Sequence, residues 1–287
     1  MISQKVKLVE CPRDAMQGIK DFIPTEKKVN YLNYLLQCGF DTLDFGSFVS
    51  PKAIPQLRDT EKVLSGLNLN DTKTKLLAII ANEKGATNAS NFDEINYLGY
   101  PFSISEEFQK RNTNTSIEGS LVRLEKINEI ANSNNKKLVL YISMGFGNPY
   151  GEKWNPDIVT KWVERLYRNF EIKIFSISDT IGCANEEVVS FLFEALIPSM
   201  KTIEFGAHMH VLPHKVDQIF SSAYSAGCRR FDGAIRGLGG CPMAKDKLIG
   251  NMATENIISW LHKNKINSGV NKKQFDMALN YSKTVFF

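Results

Sequence analysis

The chain has 287 residues, with 35 Lys and Arg against 31 Asp and Glu, which gives a formal net charge of +4. Hydrophobic residues make up 43% and charged residues 23%. This composition is typical of a globular protein and excludes collagen, coiled-coil, disulfide-rich and disordered chains. No dense basic stripe indicates a nucleic-acid partner. No apolar run approaches the roughly 20 residues that cross a bilayer, so we expect no membrane partner either.

Two further features concern the cellular compartment. Residues 1–10 contain no apolar core of the kind found in signal peptides, which predicts a cytoplasmic protein. The five cysteines are widely spaced and form no CxxC pair, so we expect free thiols and no structural zinc site.

Strand-like and helix-like segments alternate along the whole chain. The predicted strands are rich in Ile, Val, Leu, Phe and Tyr and cover residues 6–10, 42–46, 75–81, 94–100, 137–143, 172–178, 202–209 and 230–234. The first predicted helix is capped by Thr25 and stops at Gly39. The other predicted helices cover residues 54–67, 86–92, 117–131, 156–169, 185–198, 213–226 and 245–263.

Eight alternations of this kind predict an α/β fold, a (β/α)₈ TIM barrel. We expect one catalytic domain over residues 1–287, with a C-terminal segment from about residue 264 packing on the barrel. The alternative is an open, doubly wound sheet. Its dinucleotide-binding form would have GxGxxG after the first strand, where this chain has Cys11-Pro12-Arg13-Asp14 instead.

A barrel places its chemistry at the C-terminal ends of the strands. The first strand ends near Arg13, Asp14 and Gln17, for which a surface ion pair is the alternative interpretation. The seventh ends at His208 and His210, whose i, i+2 spacing on a strand points both imidazoles into one space. This spacing favours a divalent-metal site over a structural histidine, and His214 is a further candidate ligand.

Three other strand ends offer polar side chains. Asp44 lies in the last part of the second strand and Asp179 follows the sixth, where each would place a carboxylate at the barrel mouth. The glycine-rich segment 237–242 contains Cys241, which is either a thiol on a lid that moves a proton or an incidental residue of a phosphate-gripping loop. Asn251 could complete a metal shell, although alone it would more often cap or turn the chain.

Six blocks, in order, together resemble the 3-hydroxy-3-methylglutaryl-CoA lyases, within the wider group of metal-dependent barrel lyases and synthases. The blocks are Arg13-Asp14 with Gln17; residues 47–52 with Pro55-Gln56; residues 178–182; the His208/His210 pair; residues 237–242; and Gly250-Asn251 with residues 253–255. The Gly-Gly-Cys-Pro sequence of the fifth block favours the lyases over the related malate-type synthases.

The resemblance implies a role for each residue. Asp14, His208, His210 and Asn251 would bind Mg²⁺ or Mn²⁺, whose preferred ligands are of these types. Arg13 would stabilise an enolate oxygen, and Cys241 would close over the site. The remaining implied site residues are Asp179 and Asp44 in the acid–base network, Gln17 behind the ligands, and Lys20 near the CoA entrance.

The implied reaction is the cleavage of 3-hydroxy-3-methylglutaryl-CoA, a step of leucine degradation. A base, His208 or Asp14, takes the hydroxyl proton, and the C2–C3 bond breaks to give acetoacetate and the enolate of acetyl-CoA. A proton delivered through Cys241 or an ordered water completes acetyl-CoA. The implied partner is an acyl-CoA thioester, and the oligomeric state stays open, with a homodimer as one alternative.

The chain departs from the family pattern at three places. Asp44 stands where Glu is usual, Val211-Leu212-Pro213-His214 replaces Asp-Thr-Tyr-Gly, and Ala15-Met16 replaces Gly-Leu. These changes leave the ligand set intact but bear on the acyl pocket. Two alternatives therefore remain: a related lyase or synthase of the group acting on a different 3-hydroxyacyl-CoA or 2-oxo acid, and a non-catalytic metal-binding barrel.

Overall fold

The computed structural model describes residues 5–240 and 249–287. Eight parallel strands form a closed barrel in sequence order, with β1 pairing β8. The strands are β1 (Lys7–Glu10), β2 (Thr42–Ser47), β3 (Lys75–Ile79), β4 (Ile95–Ser103), β5 (Lys137–Ser143), β6 (Ile174–Asp179), β7 (Glu204–Met209) and β8 (Arg230–Gly233). The prediction of a single-domain (β/α)₈ barrel is confirmed.

Eleven helices are found in the described part of the chain. They are α1 (Pro12–Gln17), α2 (Thr25–Leu36), α3 (Thr60–Ser65), α4 (Glu83–Ser90), α5 (Glu106–Thr113), α6 (Ile117–Ser133), α7 (Pro156–Phe170), α8 (Glu186–Ser199), α9 (Val216–Ser225), α10 (Thr254–Lys263) and α11 (Lys272–Phe286). Short 3₁₀ turns at Pro55–Leu57, Pro213–Lys215 and Ile235–Gly237 link strands to helices. No helix among the described residues is long and apolar enough to cross a membrane.

Two apolar layers hold the barrel. Residues on the outer face of the strands pack against the helices in one large buried cluster, as expected where a ring of helices surrounds the barrel. Alternate residues of β3 to β6 form a second cluster inside the barrel, namely Leu77, Ile79, Tyr97, Val139, Tyr141 and Ile174. The inner side of β7, β8 and the end of β1 is polar instead, with buried His208, Asp232 and Arg230.

Several element boundaries differ from the prediction. Three helices were not predicted: α1, α5 and α11. The predicted helix 245–263 is wrong for residues 249–253, because this segment pairs with β7 through Val211 N–H to Gly250 O and Met252 N–H to Met209 O. The predicted cap at Thr25 is also wrong, since α2 begins at Thr25 after Pro24 and the Thr25 hydroxyl donates to Asp59.

The C-terminal helix α11 packs against α2. Three aromatic pairs join the two regions, with ring centroids 5.0–6.3 Å apart: Tyr31 with Phe286, Tyr34 with Tyr281, and Phe40 with Phe275. Aromatic pairs of this kind stabilise beyond their buried area by about 0.5–1.5 kcal/mol each. The helix therefore closes the outer layer next to the β1–β2 side of the barrel.

Candidate active site and metal centre

The predicted ligands meet at the C-terminal mouth of the barrel. Asp14 lies on α1 just after β1, His208 lies on β7, and His210 follows that strand. Their ligand atoms all lie within 4.8 Å of one another, and all three residues are buried. The structure thus brings together three of the four predicted metal ligands on two elements about 200 residues apart in sequence.

Backbone pairing places Asn251 beside the other three predicted ligands. It forms an isolated antiparallel bridge with His210. Its amide nitrogen donates to Asp14 Oδ2 at 2.6 Å and to the Leu238 carbonyl at 2.8 Å. Its Oδ1 is buried and has no hydrogen-bond partner in the described part of the chain. The amide oxygen is therefore available as a ligand.

Both imidazoles are oriented through Nδ1. The His208 Nδ1 lies 3.1 Å from Asp232 Oδ2, and the His210 Nδ1 lies 3.0 Å from the Thr180 carbonyl. Partners of this type fix Nδ1 as the protonated nitrogen and leave Nε2 for a metal. The His210 Nε2 is buried without a partner among the described residues. A carboxylate, two imidazoles and an orphaned amide oxygen fit a divalent cation.

The protonation states of Asp14 and His210 also favour the binding of a divalent cation. Burial alone would raise the pKa of the Asp14 carboxyl, but Arg13 and the two imidazoles hold it well below its usual range. Burial, with repulsion from His208, lowers the pKa of His210 to about 4. Near pH 7 the carboxyl is ionised and the His210 ring is neutral, which are the forms that bind metals.

Arg13 is held rigidly beside the ligands. Its Nε and Nη2 donate to the Asp44 carboxylate at 2.7–3.2 Å, while Nη1 donates to Asp14 Oδ1 at 2.9 Å and Gln17 Oε1 at 2.8 Å. The Gln17 amide in turn donates to Asp14. Burial raises the pKa of Asp44 to about 6, although Arg13 opposes the shift. Asp44 and Gln17 thus hold the guanidinium and Asp14 by direct hydrogen bonds.

Asp179 requires a correction. The sequence predicted its carboxylate at the mouth beside the metal, but Ser178 and Thr180 line the cavity and Asp179, between them, does not. Its oxygens accept the backbone N–H groups of Cys183 and Ala184 at 3.1 and 2.8 Å. Side chains alternate along a strand, so Asp179 faces away and shapes the loop that follows β6.

Two other sequence-predicted positions lie apart from the ligands. Lys20 is exposed in the segment after α1, and its CoA contact remains a prediction. His214 is exposed on the 3₁₀ turn Pro213–Lys215 and belongs to neither group of metal-binding side chains found in the described residues. Cys241 lies outside the described residues.

Glycines let the chain pass close over the ligands. Gly239 has a φ of +96°, and a Cβ there would lie 2.6 Å from the Asn251 amide nitrogen and 2.7 Å from Asp14 Oδ2. Any side chain at this position would clash with two predicted ligands. Gly239 therefore forms part of the wall of the site.

A cavity of about 190 Å³ opens beside the ligands. Arg13, Asp14, His208 and His210 form its polar part. The apolar part of the lining comprises Val49, Ala53, Ile54, Ile79, Ala81, Pro101 and Phe108. A few convergent polar groups in a mainly apolar cavity are typical of a small-molecule site.

The profile of the HMGL-like family matches residues 5–281. The chain is 34% identical over 268 residues to a hydroxymethylglutaryl-CoA lyase of Bacillus subtilis, covering 93% of this chain and 88% of the relative. The chain belongs to the HMGL-like family.

Further relatives agree. A 3-hydroxy-3-isohexenylglutaryl-CoA/hydroxymethylglutaryl-CoA lyase of Pseudomonas aeruginosa is 32% identical, covering 94% of this chain and 89% of the relative. An HMG-CoA lyase from Acinetobacter baumannii, solved with coenzyme A and 3-methylmalate, superposes with a TM-score of 0.91 at 28% identity, covering 100% of this chain and 92% of that one. The resemblance seen in the sequence is confirmed.

More distant structures share the fold alone. The carboxyl transferase domain of pyruvate carboxylase from Rhizobium etli superposes with a TM-score of 0.74 at 14% identity, covering 99% of this chain and 47% of that one. The barrel fold therefore also occurs outside the HMGL-like family, so a functional argument must be based on the site residues.

Asp232 was missed by the sequence analysis of this HMGL-like chain. It lies on β8, is 1% exposed, and pairs in register with His208 of β7. The available signal was the alternation Arg230-Phe231-Asp232, which places two charged residues on the inner face of a strand.

We predict that Asp232→Asn weakens Mg²⁺ binding by about 10–100-fold, because the isosteric amide removes the charge that fixes the His208 tautomer. Calorimetric titration of metal-free protein measures this directly. Ser176→Ala is the matched control, since the Ser176 hydroxyl reaches Asp232 at 3.5 Å without touching His208. Equal affinity in Asp232→Asn and wild type would refute the positioning role.

Glu10 connects β1 to the residues that follow β8 and to the start of α10. It is fully buried and accepts hydrogen bonds from the Ile235 N–H and the Thr254 hydroxyl. Burial raises its pKa to about 8, although both hydrogen bonds oppose the shift. Between about pH 4.5 and 8 the folded chain keeps a proton that the unfolded chain releases, so this group makes stability fall as pH rises.

Glu10→Gln should remove that pH dependence because it keeps an oxygen acceptor without a titrating group. Between pH 5 and pH 8 the free energy of unfolding of the variant should rise relative to that of wild type by at least about 1.4 kcal/mol. This is the equivalent of one pKa unit. Urea unfolding at several pH values measures the difference. Glu187→Gln, at an exposed position of α8, is the control and should keep the wild-type slope. Parallel profiles for Glu10→Gln and wild type would contradict the assignment.

Proposed function

We propose that this protein is a lyase that cleaves 3-hydroxy-3-methylglutaryl-CoA to acetyl-CoA and acetoacetate. The observation that supports this most is the cluster of Asp14, His208, His210 and Asn251 with the Arg13 guanidinium beside it at the barrel mouth. The choice of substrate is based on the relatives named as hydroxymethylglutaryl-CoA lyases. The cytoplasmic location and a role in leucine degradation belong to the same proposal.

The four ligands would hold Mg²⁺ or Mn²⁺. Such an ion, when bound, binds the substrate oxygens and lowers the pKa of the tertiary hydroxyl. A carboxylate and an amide oxygen beside two imidazoles are donors that these cations accept. The Asn251–Asp14 hydrogen bond holds two of the ligands in place before any cation arrives.

The chain's own residues account for the proton and charge movements. His208 or Asp14 takes the proton of the C3 hydroxyl, and the C2–C3 bond breaks. Negative charge develops on the thioester oxygen of the departing acetyl-CoA enolate, and Arg13 stabilises it. Because Asp44 holds Arg13 by three contacts, the guanidinium needs little reorganisation during the reaction.

Cys241 is proposed to return the proton to the enolate carbon from its lid. Cys241→Ser should keep the fold and the metal yet lose most activity, because a hydroxyl is a far weaker acid than a thiol. Alkylation should inactivate the wild type, and a CoA thioester should protect it. Among the described cysteines Cys183 alone is exposed, so Cys183→Ser is the control for alkylation. A wild-type rate in Cys241→Ser would leave the thiol without a chemical role.

A related lyase with a longer substituent at C3 is the second candidate. The apolar part of the cavity lies next to the ligands, and one relative is named for an isohexenyl substrate as well as the methyl one. A product assay over both kinds of thioester separates the candidates.

The decisive test is a coupled assay for acetoacetate with purified protein and added Mg²⁺. We expect acetoacetate from 3-hydroxy-3-methylglutaryl-CoA and none after exhaustive chelation. Acetoacetate formation that survives chelation would refute metal dependence. No turnover of this thioester, with turnover of a longer one, would favour the second candidate.

A further inference from the structure

A second group of metal-binding side chains lies on the floor of the site and takes no part in the proposed reaction apart from His208. It consists of Cys11, His208 and Asp232, whose ligand atoms all lie within 4.8 Å of one another. Cys11 follows β1, Asp232 lies on β8 and His208 on β7, three neighbouring strands of the barrel. The three residues are 0%, 9% and 1% exposed.

Lone pairs in this group lack good partners. Asp232 Oδ1 is buried without a hydrogen-bond partner among the described residues. The Cys11 thiol donates one long hydrogen bond among the described residues, to the Val9 carbonyl at 3.8 Å. Buried polar atoms of this kind are usually satisfied, by protein or by a bound species. The orphaned carboxylate oxygen is thus an independent sign of a ligand at this floor.

The spacing fits one tetrahedral cation. Zinc binds imidazole nitrogen and carboxylate oxygen at about 2.0–2.2 Å and thiolate at about 2.3 Å. The His208 Nδ1 and Asp232 Oδ2 are 3.1 Å apart, so both can reach one ion at an angle close to tetrahedral. A thiolate ligand selects thiophilic ions, such as Zn²⁺ and Cd²⁺, over Mg²⁺ and Mn²⁺.

The charges around Cys11 favour a cation. Asp14, Asp44 and Asp232 all act on this thiol, against the guanidinium of Arg13. Coordination would release the Cys11 thiol proton to solvent and move the His208 proton from Nδ1 to Nε2, which then offers no lone pair to the other ligand group.

We propose that Cys11, His208 and Asp232 form a second cation site, specific for thiophilic divalent ions, that competes with the Asp14–His208–His210–Asn251 site. The competition arises because His208 belongs to both groups and because Asp232 cannot orient His208 while it holds an ion. Occupation of the floor site (Cys11, His208 and Asp232) therefore lowers the affinity of the upper site (Asp14, His208, His210 and Asn251) for Mg²⁺ or Mn²⁺. The proposal does not depend on which thioester the protein cleaves.

Titration of the metal-free full chain with Cd²⁺ tests the site through the ultraviolet charge-transfer band of a cadmium–thiolate bond. Wild type should show one equivalent of this band. Cys11→Ala should lose it, whereas Cys183→Ser and Cys241→Ser should keep it. A band that persists in Cys11→Ala, or that disappears only in Cys241→Ser, would overturn the proposal.

A second variant covers the case in which Cys11→Ala fails to fold. Asp232→Asn keeps the thiol but removes a ligand, so its Cd²⁺ affinity should fall at least tenfold. Unchanged Cd²⁺ affinity in this variant would overturn the three-residue site.

The competition between the two sites is measured by electron paramagnetic resonance, which reports the concentration of free Mn²⁺. One equivalent of Cd²⁺ should lower the Mn²⁺ affinity of wild type at least tenfold, and by a smaller factor in Cys11→Ala. An equal effect in both proteins would show that Cd²⁺ acts at the upper site and would refute the competition.

Discussion

Arg13→Met should lower kcat by about 10²–10³, a loss of about 3 kcal/mol in transition-state stabilisation, with a much smaller change in KM. The reason is that Arg13 faces charge that develops only as the C2–C3 bond breaks. Steady-state kinetics with saturating Mg²⁺ measures both constants. A normal kcat with a raised KM would instead assign Arg13 to substrate anchoring.

Arg13→Met should also lower the stability of the fold, so the kinetic experiment needs a control for stability. Methionine leaves the buried Asp44 carboxylate without the guanidinium that contacts it, and breaking a buried pair on one side costs about 3–5 kcal/mol of stability. The double variant Arg13→Met/Asp44→Asn removes this unpaired charge and should recover stability but not kcat. Arg13→Lys should rescue kcat poorly, because an ammonium cannot reproduce the fork held by Asp44.

His210→Ala should weaken Mg²⁺ and Mn²⁺ binding by more than the 10–100-fold typical of an outer contact, and activity should fall with it. Without metal the melting temperature should change little. The lost ring makes one hydrogen bond, to the Thr180 carbonyl, and its Nε2 is a buried orphan whose removal is favourable. Calorimetry and thermal melts of the metal-free proteins measure the two effects.

His214→Ala is the matched control for this experiment. His214 is exposed and lies four residues further on, so its loss should leave both metal affinity and melting temperature unchanged. Equal metal affinity in wild type and His210→Ala would refute the ligand assignment.

The fold could be predicted from the sequence because each element is encoded locally. Buried parallel strands appear as short apolar runs, and the helices between them show apolar residues at helical spacing. The errors lie where tertiary contacts override that pattern. Residues 249–253 follow helix-like sequence but pair with β7, because the edge of the barrel mouth offers free backbone groups.

The candidate site divides in the same way. Residue type and spacing identified His208 and His210 as a metal-binding pair by themselves, since an i, i+2 pair on one strand faces one side whatever surrounds it. Asp14 was assigned as a ligand only by the resemblance, and so was Asn251. The position of Asn251 depends on a backbone bridge to His210, a contact between residues 41 positions apart.

The sequence by itself thus determined the barrel, the ligand types and the strand ends at which they lie. Only the tertiary structure decided how those residues work together. Barrel closure places β8 against β1 and β7, which brings Asp232 to His208 and Cys11 to both. Such contacts join strands distant in sequence, and no local pattern encodes them, because each residue's partner is fixed by how the sheet closes.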